Sequence, residues 1–128
     1  MKLNRNNLLL KDIIKNVNRD ELSVFLIDGD KVVATDSYRL VEMTLGEGSA
    51  DKPMTIPLSE LNKISLKKDE IFDIAKLDSN NANGYPEYKK IIPTEEPIIT
   101  FSVNAKYLES ICKILKNVNR TKSVKVSI

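Results

Sequence analysis

Residues 22–34 read Leu22-Ser23-Val24-Phe25-Leu26-Ile27-Asp28-Gly29-Asp30-Lys31-Val32-Val33-Ala34. Residues 22–27 and 31–34 are two β-prone runs rich in branched and apolar side chains. Asp28-Gly29 between them is the pair a tight hairpin requires, because it tolerates positive φ. This stretch therefore predicts two antiparallel strands. Residues 38–45 predict a third, with Leu40 and Val41 apolar and Glu42 exposed.

On the N-terminal side, residues 6–18 predict an amphipathic helix. Leu10, Ile13, Ile14 and Val17 fall at i, i+3, i+4 and i+7, on one face. Asn6 or Asn7 supplies a cap, since a short side-chain oxygen accepts an orphan backbone N–H. On the C-terminal side, residues 46–51 read as a loop and residues 54–56 as a brief strand ending at Pro57. A short helix over residues 58–64 follows. Residues 70–77 return to strand, with Ile71 and Ile74, or Phe72 and Ala75, as competing inward pairs. Residues 78–84 are a loop by composition, and residues 98–103 a further strand. Ser102 or Asn104 then caps a helix over residues 105–117, whose stripe is Leu108, Ile111, Cys112 and Leu115. Residues 122–128 alternate Val124, Val126 and Ile128, as a half-buried strand does. The sum is an α+β fold. Its sheet is mostly antiparallel, with two amphipathic helices and one short helix, and hairpin-length connections replace helical crossovers.

A length of 128 residues suits one domain, and 41% hydrophobic against 30% charged residues is an ordinary globular composition. No apolar run reaches the roughly 18 residues of a membrane span, and the N-terminus lacks a signal-peptide layout. The single cysteine excludes an internal disulfide and fits a reducing, cytoplasmic setting. A net charge of +2 is too small for binding nucleic acid through overall charge.

The chemistry absent from the chain is informative. It has no histidine, and so lacks the commonest general base and metal ligand. No Ser-His or Cys-His pair can form, and one cysteine makes no thiolate zinc site. No phosphate-cradling glycine loop occurs. Asp28-Gly29-Asp30 lacks the distal ligands of a calcium loop and reads as a turn. Cys112, within an apolar helical stripe, reads as a core residue. The expectation is a protein that is not an enzyme and uses no cofactor and no metal.

Basic residues recur on two helices. Lys11 and Lys15 share a face of the first. Lys106, Lys113, Lys116 and Arg120 fall near one face of the last, interrupted by Glu109. Such residues are either a solvated helix face or a surface that attracts phosphates without reading bases.

Two segments are more specific: Val33-Ala34-Thr35-Asp36-Ser37-Tyr38-Arg39-Leu40 and Gly84-Tyr85-Pro86-Glu87-Tyr88-Lys89-Lys90-Ile91-Ile92-Pro93. In this order they resemble the bacterial DNA sliding clamp, the β subunit of DNA polymerase III. That family carries an Ala-Thr-Asp-Gly-His-Arg-Leu-like segment in its middle domain, and a Gly-x-aromatic-Pro-Asp-Tyr segment near that domain's end. Ile56-Pro57 before a short Leu-rich helix resembles the family's entry into the second helix of that domain. The region after Pro93 resembles the opening of a third domain. The resemblance covers roughly residues 8–128. Ser37 stands where Gly is frequent, Tyr38 replaces the usual His, and Glu87 replaces Asp. The run between Ile64 and Gly84 is shorter than in the family, and the chain stops where a third domain would continue.

The resemblance implies residues 1–95 as a shortened clamp middle domain and residues 96–128 as the start of a following unit, or one compact domain overall. It also implies a ring with a basic channel around DNA, bound non-specifically through its backbone. To close such a ring, a chain with about one domain's worth of structure would need several copies, as a homo-oligomer, or the rest of a longer parent chain. Polymerases and other clamp-binding partners would insert a short apolar peptide into a groove. The groove residues map to Thr35, Ser37, Tyr38, Arg39, Leu40, Pro86 and Ile91, with Leu40, Pro86 and Ile91 as the apolar floor. The DNA-facing residues would be Lys11, Lys15, Lys106, Lys113, Lys116 and Arg120. The alternative is a non-encircling phage- or plasmid-type relative that acts as adaptor or competitor. Each motif also has a local reading. Thr35-Asp36 can form a side-chain turn, Arg39 can be a surface ion-pair partner, and residues 85–88 can be a loop anchored by its aromatics.

Overall fold

The computed structural model describes residues 1–118. Arg120 and the strand expected over residues 122–128 lie outside the described residues. The chain forms two compact units, Met1–Tyr88 and a second beginning at Lys89.

The first unit is α+β with antiparallel sheets. Strand β1 (Lys2–Asn4) leads into two four-residue helices, α1 (Arg5–Leu8) and α2 (Lys11–Ile14). Strands β2 (Val24–Asp28), β3 (Lys31–Thr35) and β4 (Leu40–Thr44) form a meander. Strand β5 (Met54–Pro57), helix α3 (Leu58–Leu61), β6 (Ile71–Asp73) and the two-residue β7 (Asn80–Asn81) complete it. The five-stranded sheet has the order β4-β3-β2-β5-β7, and β1 pairs with β6 in a separate ribbon.

The hairpin at Asp28 forms as expected. Asp28 pairs with Lys31, so the loop is Gly29-Asp30, and Gly29 takes φ +58. A side chain in that left-handed conformation would be strained, which explains the glycine.

The two sheet faces differ because successive side chains alternate. On one face Phe25, Ile27, Val32, Ala34 and Ile56 join Leu3, Leu10, Ile14, Leu61, Ile64 and Ile74 in the main core. Helices α2 and α3 cover this face. On the other, Leu26 and Val33, directly paired across β2 and β3, form a small cluster with Tyr88.

The first helix departs from expectation in length and cap. Between α1 and α2 the amides of Leu9, Leu10, Asp12 and Ile13 bond to carbonyls three residues back. Such bonds tighten the chain and break one long helix into two turns of α-helix. Leu10 and Ile14 are buried as the stripe requires, while Leu9 points outward, 64% exposed. The cap is Asn4, not Asn6 or Asn7. Its side chain accepts from Asn7 N (2.9 Å), and Asn7 Oδ1 accepts from Asn4 N (3.0 Å). Asn7 thus completes a capping box in which Asn replaces the usual Glu or Gln.

Residues 70–77 make only the short β6, then a single 3-10 turn over Ile74–Lys76. The change of geometry mixes the expected pairs. Phe72 and Ile74 turn inward, while Ile71 is 45% exposed. Within the expected loop at residues 78–84, Asn80 and Asn81 pair with Thr55 and Met54.

In the second unit, helix α4 (Ala105–Val118) forms as expected. Asn104 caps it, its Oδ1 accepting from Lys106 N at 3.0 Å. Residues 98–103 do not form the expected strand. They pair with no other segment among the described residues, and Ile98 is 98% exposed. Cys112 is exposed rather than core. Its stripe includes Leu108 and Ile111, 47% and 52% exposed, so the burial preference of cysteine has nothing here to act through.

Candidate functional site

The first motif closes the β3–β4 hairpin. Asp36 Oδ1 accepts from the amides of Tyr38 (3.0 Å) and Arg39 (2.9 Å), and its Oδ2 accepts from Arg39 Nε (3.0 Å). Thr35 Oγ1 donates to the Arg39 carbonyl (2.8 Å) and accepts from Ser37 N (3.3 Å). Both local readings of this segment therefore hold: it is a side-chain turn closed by an Asp36–Arg39 ion pair. Burial acts to raise the Asp36 carboxyl, but the Arg39 and Tyr38 amides, then the guanidinium, outweigh it. The group sits below its ordinary carboxylate range.

Ser37 takes φ +79 in this turn, a left-handed conformation that favours glycine. The Asp36 and Thr35 hydrogen bonds hold the turn in this conformation, and Tyr38 stands at its tip, 96% exposed. A large aromatic projected from a fixed turn loses little freedom when a partner covers it.

Leu40 begins β4 and faces the smaller cluster. It packs half-buried against the group formed by Leu26, Val33 and Tyr88, as do Ala82 and Tyr85 of the second motif's segment. Residues 82–88 therefore fold back over the same sheet face that Leu40 borders. Tyr88 is the anchor: it is 4% exposed, and its hydroxyl donates to Asp28 Oδ2 at 2.8 Å. Burial first, then the Asp28 carboxylate, pushes its ionisation well above the ordinary tyrosine value. Burial alone pushes Tyr85 up to about 12, and its buried hydroxyl has no hydrogen-bond partner. Pro86 is half-buried, and its carbonyl accepts from Tyr88 N at 2.8 Å.

Of the expected groove residues, Thr35 and Leu40 lie on the smaller-cluster side of the sheet, and Pro86 lies in the segment that crosses it. Ser37, Tyr38 and Arg39 form the turn at its edge. Ile91 belongs to the second unit, where it is 66% exposed. The expectation omitted Leu26, Val33 and Tyr88, which form the buried cluster beside Leu40, and Ala82 and Tyr85, which pack against it. Strand alternation could have found the first two, as a directly opposed apolar pair on Leu40's side of the sheet.

The expected DNA-facing residues divide by unit. Lys15 is ion-paired to Asp12 at 3.2 Å, and Lys11 is half-buried. Lys106, Lys113 and Lys116 are exposed on α4. Their spacing puts them on the side opposite Leu108, Ile111 and Leu115.

Two concavities mark the first unit. One of about 470 Å³ lies between α1 and β6, lined in part by Arg5, Leu9, Lys68, Asp69 and Ile71. The other, about 290 Å³, lies between the end of α2 and the Asp36–Arg39 turn. Among the described residues no three His, Cys, Asp or Glu side chains cluster as a metal site would require. No helix among them is long and apolar enough to cross a membrane. Comparison with protein-family models, curated proteins and solved structures finds no match.

Proposed function

We propose that this chain is a clamp-like docking module of DNA replication. It acts without catalysis in the cytoplasm, binds a short apolar peptide of a polymerase-type partner, and holds DNA through non-specific backbone contacts. One observation carries the reading. The two motifs, far apart in sequence, meet on one sheet face, where Leu40 borders the cluster that Tyr85 and Tyr88 cover. An apolar floor with a few orienting polar groups is what a peptide groove needs. The DNA part rests on Lys106, Lys113 and Lys116, which gather on one side of α4 as sequence-independent phosphate contacts require.

Two measurements test it. In a titration with an apolar clamp-binding peptide, the amides of Tyr38, Leu40 and Tyr88 should shift and saturate. Unmoved amides there would remove the groove. Retention on circular DNA that is lost on linearisation would establish encirclement. Equal retention on both forms would leave the non-encircling adaptor or competitor.

A further inference from the structure

The turn that leads into the Tyr85–Tyr88 segment carries an Asn83-Gly84 pair, and no other asparagine in the chain is followed by glycine. Strand β7 pairs with β5, and the chain then reverses over Ala82–Tyr85, where Tyr85 N donates to Ala82 O at 3.1 Å. Gly84 takes φ +86, a conformation that favours glycine.

An asparagine before a glycine has one reaction open to it. Its side-chain carbon Cγ can close a five-membered ring with the backbone nitrogen of the next residue. A Cβ on that residue crowds the nitrogen, and glycine has none. In a folded chain, burial or hydrogen bonding of either group prevents closure. Neither protects this pair. Asn83 and Gly84 are both exposed. The Asn83 side chain and the Gly84 N–H make no hydrogen bond to any described residue, and the bond at Asn83 runs from its own N–H to Asn81 Oδ1 at 3.0 Å. The space beside Gly84 is open, with nothing within 4 Å of where a Cβ would stand.

Asp28-Gly29 is the opposite case. It has the atoms to close the same ring with loss of water. Its carboxylate accepts from the Tyr88 hydroxyl at 2.8 Å, and Asp28 is fixed by pairing with Lys31 across the hairpin. Asn81 is also held, by the bond its Oδ1 accepts, and Ala82 follows it.

We propose that Asn83 is a site of spontaneous modification, where the folded chain converts its own asparagine to aspartate and isoaspartate. Asparagine is among the thermolabile residues. Gly84 N loses its proton to hydroxide and attacks Asn83 Cγ. The new C–N bond closes a succinimide, and the Cγ–Nδ2 bond breaks to release ammonia. Water then opens the ring. Addition at Cγ breaks the new bond and gives aspartate. Addition at the Asn83 main-chain carbonyl breaks the original peptide bond and gives isoaspartate, whose backbone runs through the former side chain. Nothing is oxidised or reduced. Either product places a carboxylate just ahead of Tyr85. Isoaspartate also lengthens the main chain in the segment that brings Tyr85 and Tyr88 over Leu26 and Val33. The site requires neither the docking groove nor DNA.

The test ages the purified full chain in warm, mildly alkaline buffer, beside a sample unfolded in guanidinium chloride. An unaged sample sets the background of digestion. The tryptic peptide spanning residues 77–89 is then sequenced by mass spectrometry. In the folded sample Asn83 should gain the mass of exchanging NH2 for OH and give two chromatographic products. Its rate should be close to that of the unfolded sample, and at least about tenfold above those of Asn80 and Asn81, whose successors carry a Cβ. The rate should rise with hydroxide concentration. Asn83→Gln, whose ring would be one member larger, should lose both products. Conversion confined to the unfolded sample would overturn the proposal, because the fold would then protect the pair. Conversion of Asn80 or Asn81 ahead of Asn83 would overturn it too, as would a folded sample whose Asn83 keeps its mass.

Discussion

At the scale of single residues, two tyrosines three positions apart have opposite hydrogen-bonding fates. Tyr88 donates to Asp28, while the Tyr85 hydroxyl is buried without a partner. Removing a made bond takes one partner from the carboxylate that received it, whereas removing an unmade one relieves an unpaid desolvation. Tyr88→Phe should therefore cost about 1–2 kcal/mol, and Tyr85→Phe should be neutral or stabilising by up to about 1 kcal/mol in urea unfolding. Both phenols ionise above the ordinary tyrosine value in the folded chain. Their contribution is fully present below the unfolded value near about 10 and is lost as pH rises from there through the folded values. Tyr85→Phe should flatten that alkaline loss, measured as urea midpoints at pH 9 and above. Asp36 acts at the opposite end. Its folded value is depressed, so its contribution is present above the ordinary carboxylate range, near about 4, and lost as pH falls through the folded value. Asp36→Asn should make the Tyr38 amide signal insensitive to acid and reduce backbone order at the tip, read by ¹⁵N relaxation.

At the scale of elements, legibility followed how local the deciding physics is. The β2–β3 hairpin was readable because Gly29 and its branched flanks specify it within a few residues. The Thr35–Arg39 turn was readable for the same reason, since every bond in it spans four residues or fewer. Strand β1 was not, because three residues give no period, and its partner β6 lies about seventy positions away. The break between α1 and α2 was hidden because Leu10, Ile13, Ile14 and Val17 satisfy a helical stripe whether or not the chain tightens before them. The cap was ambiguous because Asn4, Asn6 and Asn7 are all competent. What selects Asn4 is tertiary: Asn7 is needed inside, where its Nδ2 donates to Thr44 O (3.0 Å) and its Oδ1 accepts from Gly46 N (3.1 Å). Asn7 thus joins β1, α1 and the end of β4 through one buried amide. Asn7→Ala would leave several backbone groups without partners and should cost about 2–4 kcal/mol. Asn6→Ala, at an exposed neighbour, should cost less than about 0.5 kcal/mol in the same denaturation series.

At the scale of the molecule, the candidate floor was half legible. The motifs named Leu40 and Pro86, but the residues that complete the floor depend on residues 82–88 folding back across the sheet. That path is set by Tyr88 reaching Asp28, sixty positions away. The same anchor defines where the first unit must end. Among the described residues every buried apolar side chain lies at or before Tyr88. A chain cut after residue 90 therefore keeps both cores, whereas one cut after residue 84 uncovers Leu26 and Val33 and removes the Tyr88 hydroxyl that donates to Asp28. Burial of a tyrosine of this kind is worth a few kcal/mol, a large share of the stability of a domain this small. Residues 1–90 should melt cooperatively within a few degrees of the full chain by circular dichroism. Residues 1–84 should be destabilised by about 3–5 kcal/mol, comparable to deleting a large buried side chain. Equal stability of the two fragments would mean that Tyr88 is ornament rather than anchor. The proposed docking face would then lose the anchor that brings residues 82–88 over the Leu40 side of the sheet.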